Sequence, residues 1–142
     1  MKQQKKKHPI TLIEIMIVIF LIGLIGSVLG YNMKGSLEEG KAFKTEQAIN
    51  QIHDLLLLEV AKGVPIDQVV LDPETHLKNS GFVKNVKNLL KDGWGGAYDM
   101  RVMRNHQDIV IKSKNLDRHH AKKGRVVVDP EEEQETIAVY VP

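Results

Sequence analysis

Residues 10–31 read ITLIEIMIVIFLIGLIGSVLGY. The stretch is apolar throughout except for one charge, Glu14, four places after its first residue. A run of this length crosses the hydrocarbon core of a bilayer as a single helix. A carboxylate inside such a helix costs roughly 2.5–3.5 kcal/mol near its centre on insertion scales. A plain anchor gains nothing from that cost, so Glu14 is expected to meet a partner. Lys2, Lys5, Lys6 and Lys7 stand just ahead of the run. Together these features read as a helix that is first inserted in a membrane and then built into something larger.

Working outward, the 142 residues leave room for that helix and one small domain. Cysteine is absent, so no disulfide braces the domain. The net charge of +2 divides unevenly. Residues 1–31 hold 4 of the 20 Lys and Arg and 1 of the 18 Asp and Glu, which leaves 16 basic and 17 acidic groups after Tyr31. The later part therefore has no basic excess that would attract nucleic acid. The basic excess lies at the N-terminus, where the positive-inside rule keeps it cytoplasmic. The expected topology is a single inner-membrane span with the C-terminal part in the periplasm. A secretory signal peptide has an apolar core of about 7–15 residues; this run is longer and carries Glu14.

No helix stop follows the apolar run. Phe43, Ala48, Ile49, Ile52, Leu55, Leu56 and Val60 recur near helical spacing with charges between them, and proline is absent until Pro65. One helix is expected from about residue 10 to about residue 61, ended by Gly63 and Pro65. Glycines at 23, 26, 30, 35 and 40 fit either close helix packing or a helix able to bend. A shorter helical stretch is expected within 66–91, clearest at Phe82, Val83, Val86, Leu89 and Leu90. Residues 92–98, DGWGGAY, form a turn cluster. Strands at 98–103 and 109–112 should pair across a turn at 105–107. A polar loop should fill 113–125, and a second strand pair should join 125–128 to 136–141 through the acidic turn 129–135. The divisions are a leader at 1–9, a membrane half-helix at 10–31, its amphipathic continuation at 32–62, and an α+β head at 63–142 packed on that continuation.

The segment ITLIEIMIVIFLIGLIG resembles the class III signal of type IV pilins and type II secretion pseudopilins: a basic leader, a cleavage point, then an apolar helix with threonine second and glutamate fifth. With cleavage between Pro9 and Ile10, Thr11 and Glu14 fall on those places. DGWGGAYDM resembles the DPWGNPY turn of the major, G-type pseudopilin, with Asp92, Trp94, Gly95 and Tyr98 matching. The chain departs from the family's usual pattern in three places: Pro9 replaces the usual glycine, Ile10 the usual phenylalanine, and a basic LDRHHAKKG the family's Gly/Asp-rich calcium loop.

The resemblance implies a pilin-like fold, with a long N-terminal helix packed against a small antiparallel sheet. It also implies a structural subunit of the type II secretion pseudopilus. Such a protein is cut by a prepilin peptidase and methylated on the new amine. It polymerises with copies of itself and other pseudopilins on an inner-membrane secretion platform, in contact with membrane lipid. Glu14 would pair with the free N-terminal amine of a neighbouring subunit and set the axial register. The alternatives are a type IV pilin or minor pilin of a surface or DNA-uptake filament, and a membrane-anchored binding domain that never polymerises.

Other chemistry is sparse. Trp94 and Tyr98 read as rings that cover the sheet edge or the long helix. No spacing among His76, His106, His119 and His120 matches a zinc pattern. Calcium on Asp117, Asp129 and the acids at 131–133 is the weak candidate, but those acids adjoin a basic run and a polar turn is the simpler reading. No metal or other cofactor is expected. No nucleophile and base, phosphate loop or carboxylate pair stands out, so the expectation is a non-enzyme.

Overall fold

A computed structural model describes residues 8–133. The leader lysines and the expected strand at 136–141 lie outside the described residues. The chain divides into two units, Met1–Leu37 and Glu38–Pro142.

In the first unit the described chain enters helix α1, Leu12–Ala61, immediately after Thr11. The Thr11 carbonyl accepts from the N–H groups of Glu14 and Ile15. Leu12–Tyr31 is long and apolar enough to cross a membrane, and none of it is buried within the protein. Ile13, Ile17, Phe20, Leu24 and Val28 are all exposed. The helix runs through all five glycines of residues 23–40.

The second unit is an α+β head that includes residues 38–61 of α1. There Ala42, Thr45, Ala48, Ile52, Leu56 and Glu59 are buried. Their spacing of three or four places them on one face. Two carbonyls of the last turn are answered by Gly63 N–H on Val60 O and Val64 N–H on Glu59 O, the pattern of a glycine-ended helix.

Where the sequence predicts one helical stretch over 66–91, the structure has three short helices: α2 (Ile66–Leu71), α3 (Pro73–Ser80) and α4 (Val86–Leu89). Local capping divides them. Asp72 ends α2, and its side chain accepts from Thr75 N–H to begin α3, with Pro73 in the first turn. Asn85 starts α4 by accepting from Asn88 N–H, so residues 82–85 lie outside any helix. Strands β1 (Asp99–Val102) and β2 (Ile109–Lys112) pair antiparallel, with Asp99 opposite Lys112 and Val102 opposite Ile109.

The expected loop at 113–125 is mostly a helix, α5, Lys114–Lys122. Ser113 caps it by accepting from Leu116 N–H. The expected strand at 125–128 is not formed: these residues have no strand partner among the described residues, and Val126, Val127 and Val128 are exposed. Side chains tie this passage down instead of a backbone ladder. Asp129 accepts from Arg101 and Lys112, and Glu131 pairs with Arg101.

The core gathers Ile52, Leu56, Val69, Leu77, Val86 and Ile109. The α+β class with a long apolar N-terminal helix and a small antiparallel sheet, a layout consistent with a pilin-like fold, is therefore present. Leu56 is 0% exposed and Leu58 is 39% exposed. Leu56→Ala should cost about 2–5 kcal/mol of head stability, and Leu58→Ala less than about 1, in thermal or denaturant unfolding. Equal effects would contradict this packing.

Candidate functional site

Two places carry the residues singled out from sequence, and each belongs to one unit. In the first, Pro9 and Ile10 lie in non-helical, exposed chain just ahead of α1. Thr11 is the last residue before the helix, and Glu14 falls in its first turn. Glu14 is exposed among exposed Ile13, Ile15 and Ile17. Its side chain has no ion pair or hydrogen bond among the described residues. Acid in the first turn also suits the positive end of the helix dipole.

The second place is the turn at 92–98. Its ends are bridged by Lys91 and Ala97, and Asp92 N–H donates to Gly96 O at 2.8 Å. At its centre sits the Asp92 carboxylate, 3% exposed. One oxygen accepts from Trp94 N–H at 2.9 Å and Gly96 N–H at 2.8 Å. The other accepts from Ser113 Oγ at 2.7 Å and Asn115 Nδ2 at 3.0 Å. Burial alone pushes the carboxyl up. The donors, Ser113 first, outweigh it and leave Asp92 below the ordinary carboxylate value. Tyr98, half-buried beside that charge, is pushed up to about 12, by burial first and then by Asp92.

The glycines set how close the turn comes to α1. Gly95 has φ +84, where any side chain is strained. A Cβ on Gly93 would overlap the Lys41 carbonyl of α1. Gly93 N–H donates to Thr45 Oγ1 at 2.8 Å, and that hydroxyl donates to Lys41 O at 2.7 Å. Thr45 itself is fully buried. The Trp94 indole N–H reaches Glu38 Oε2 at 2.8 Å, and its ring lies 5.8 Å from that of His119. The Glu38 carboxyl is lowered, chiefly by the Trp94 hydrogen bond and then by Lys41.

Helix α5 docks on the same stretch of α1. Lys123 pairs with Glu39, and His120 Nε2 lies 3.1 Å from Glu46 Oε1. His119 Nε2 stands 3.9 Å from Glu39 Oε1, beyond hydrogen-bond reach, and is buried without a hydrogen-bond partner among the described residues.

The turn residues Asp92, Trp94, Gly95 and Tyr98 are thus brought together. Sequence reading misses their partners Glu38, Thr45, Ser113 and Asn115. One signal was present: Ser113 followed three places on by Leu116, with His119 on the same face, is a capped amphipathic helix start. The calcium candidates are not brought together. Asp117 stands in the first turn of α5. Asp129 is taken up by Lys112 and Arg101, with Lys112 foremost in holding its carboxyl down at about 2. No group of three or more metal-ligating side chains forms among the described residues.

The chain is 45% identical over 116 residues to a protein of Chlamydia muridarum and 42% identical over 116 residues to one of Chlamydia trachomatis serovar D. Each match spans 81% of this chain and 94% of the relative. A Chlamydia pneumoniae protein is 39% identical over 123 residues, 86% of this chain and 100% of its own length. All three carry the name "Putative outer membrane protein". No family model matches the chain, and no solved structure matches it.

Asp92 gives a signed pH dependence. An unfolded aspartate titrates near 3.9, and the folded one lies lower. Its stabilisation is therefore present above the unfolded value and lost as pH falls through the folded one. Asp92→Asn keeps the shape but turns an amide toward donors on one edge. It should cost about 1–3 kcal/mol at neutral pH. That difference from the parent should shrink in acid when unfolding is followed by Trp94 fluorescence. A pH-independent difference would contradict the four-donor carboxylate.

Proposed function

Since the chain is a member of this chlamydial family of proteins named for the outer membrane, we propose that it is a membrane-anchored structural subunit that polymerises through its N-terminal helix, a pseudopilin of a type II secretion machine. The observation that carries the reading is Glu14: a carboxylate in the first turn of a lipid-length helix, without an intramolecular ion pair among the described residues. In hydrocarbon, a lone carboxylate and a lone amine both gain by meeting. A neighbouring copy cut at Pro9–Ile10 supplies that amine. The α+β head with its Asp92–Tyr98 turn supports the same reading.

Leu12–Tyr31 suits a helical inner-membrane span, with lysines 2–7 on the cytoplasmic side and the head in the periplasm. The described strands are four residues each, whereas a strand crossing an outer membrane needs about 9–11. A fibre rooted in the inner membrane and growing toward the outer one would place such a protein in both membrane fractions. Its partners are then copies of itself, other pseudopilins, a prepilin peptidase and the inner-membrane secretion platform.

Processing is the first check. Intact mass of the protein from membranes should show loss of residues 1–9, with or without one methyl on Ile10. Only full-length chain would remove the amine that Glu14 needs.

Glu14→Gln separates assembly from anchoring. An amide costs less in lipid than a carboxylate, so membrane levels should be normal. Crosslinked oligomers and secretion should be lost. Persistence of long crosslinked ladders in the variant would sink the role given to Glu14.

A further inference from the structure

A cleft of about 380 Å³ lies between α5 and the start of the α1 segment of the head, lined by Glu38, Trp94, Asn115, Arg118, His119 and Lys122. Its charges are not balanced from within. Glu38 is already engaged by Trp94 and Lys41. Arg118 and Lys122, one helical turn apart on α5, make no ion pair or hydrogen bond among the described residues. His119 is buried, with its Nε2 lacking a hydrogen bond among the described residues. A planar guanidinium fork and an ammonium beside an indole suit an anion carrying several oxygens, a phosphate above all.

The covalent chain fixes where that anion is most abundant. Tyr31 ends the membrane span and Glu38 begins the head. Even fully extended, the seven steps between them reach no more than about 25 Å. That covalent tether limits how far Glu38, at the cleft's edge, can stray from the end of the span, so headgroup phosphate is offered to it at a high effective concentration. The chain's own acidic run is a poorer occupant. Asp129 is held by Arg101 and Lys112, and Glu131 by Arg101 and Arg104.

We propose that this cleft holds the phosphate of an anionic phospholipid headgroup from the bilayer in which the chain is anchored, through Arg118 and Lys122 with Trp94 alongside. The proposal needs only the membrane span. It holds whether or not the chain polymerises, so it fails separately from the Glu14 reading.

Trp94 is the single tryptophan, so its fluorescence reports the site in the full-length protein. The protein is reconstituted in phosphatidylcholine vesicles with and without phosphatidylglycerol. The anionic lipid should shift Trp94 emission and shield it from acrylamide, less so at high salt. Arg118→Gln with Lys122→Gln should need roughly thirtyfold more anionic lipid for the same response, the usual worth of two basic residues at an anionic surface. The charge-conserving pair Arg118→Lys with Lys122→Arg should retain it, as should Lys84→Gln with Lys87→Gln on another surface. An unchanged response in the first double variant overturns the proposal. So does a full response to inorganic phosphate in neutral vesicles, which would assign the cleft to a free anion. A response in neutral vesicles that grows with protein density also overturns it, because a second copy would then fill the cleft.

Discussion

The head depends on one buried anion. The Asp92 carboxylate takes four hydrogen bonds from two backbone N–H groups of its own turn and two side chains at the start of α5. A buried carboxylate without such donors would be a heavy penalty. With them it works as a joint, since the same atoms that neutralise the cost also fix where β2 gives way to α5. The positions of Gly93 over Lys41 and of the Trp94 indole against Glu38 follow from the shape of that turn. In a small domain without cysteines, this polar joint does part of what a disulfide does elsewhere.

The parts legible in the sequence were those with a strong period or a rigid punctuation. The apolar run, the amphipathic continuation, the Gly63–Pro65 stop and the two strands β1 and β2 all lie where pattern reading puts them. Helix α5 was hidden because only Leu116 and His119 on it are buried, and five lysines and arginines with two histidines in 114–125 look like a solvated loop. Its docking on α1 uses glutamates, which no hydrophobic period reveals. The run of three valines at 126–128 misled in the opposite direction. Valine favours strands only where a neighbour offers a ladder and a surface to pack on, and here the passage is held by Asp129 and Glu131 on the arginine and lysine of the sheet. At 92–98 the turn residues could be named from sequence, but not their partners, because Glu38 and Thr45 are some fifty positions away and joined to the turn only by folding.

Helix α1 answers to two solvents. Residues 12–31 expose apolar side chains all round, which only lipid or other apolar helices can cover. Residues 38–61 cover one face with the head and leave the other polar. Membrane association and the α+β head thus come from one helix read in two registers of hydrophobicity. The proposed fibre role asks this helix to exchange lipid for copies of itself, with Glu14 as the group that makes the exchange specific.

The absence of a side chain at Gly93 has a mechanical consequence. With backbone against backbone at Lys41 and the Thr45 hydroxyl bridging the two, the turn sits on α1 like a key in a slot. Sliding residues 38–61 by one helical pitch, or rolling them by one residue, would bring a side chain where only a glycine-sized gap exists. The close approach and the hydroxyl bridge therefore oppose rotation of the turn about this segment. The same slot makes the spacing between positions 41 and 52 intolerant of a single inserted or deleted residue, since the 100° change in helical phase would turn either the slot or the Ile52–Leu56 face away from the head.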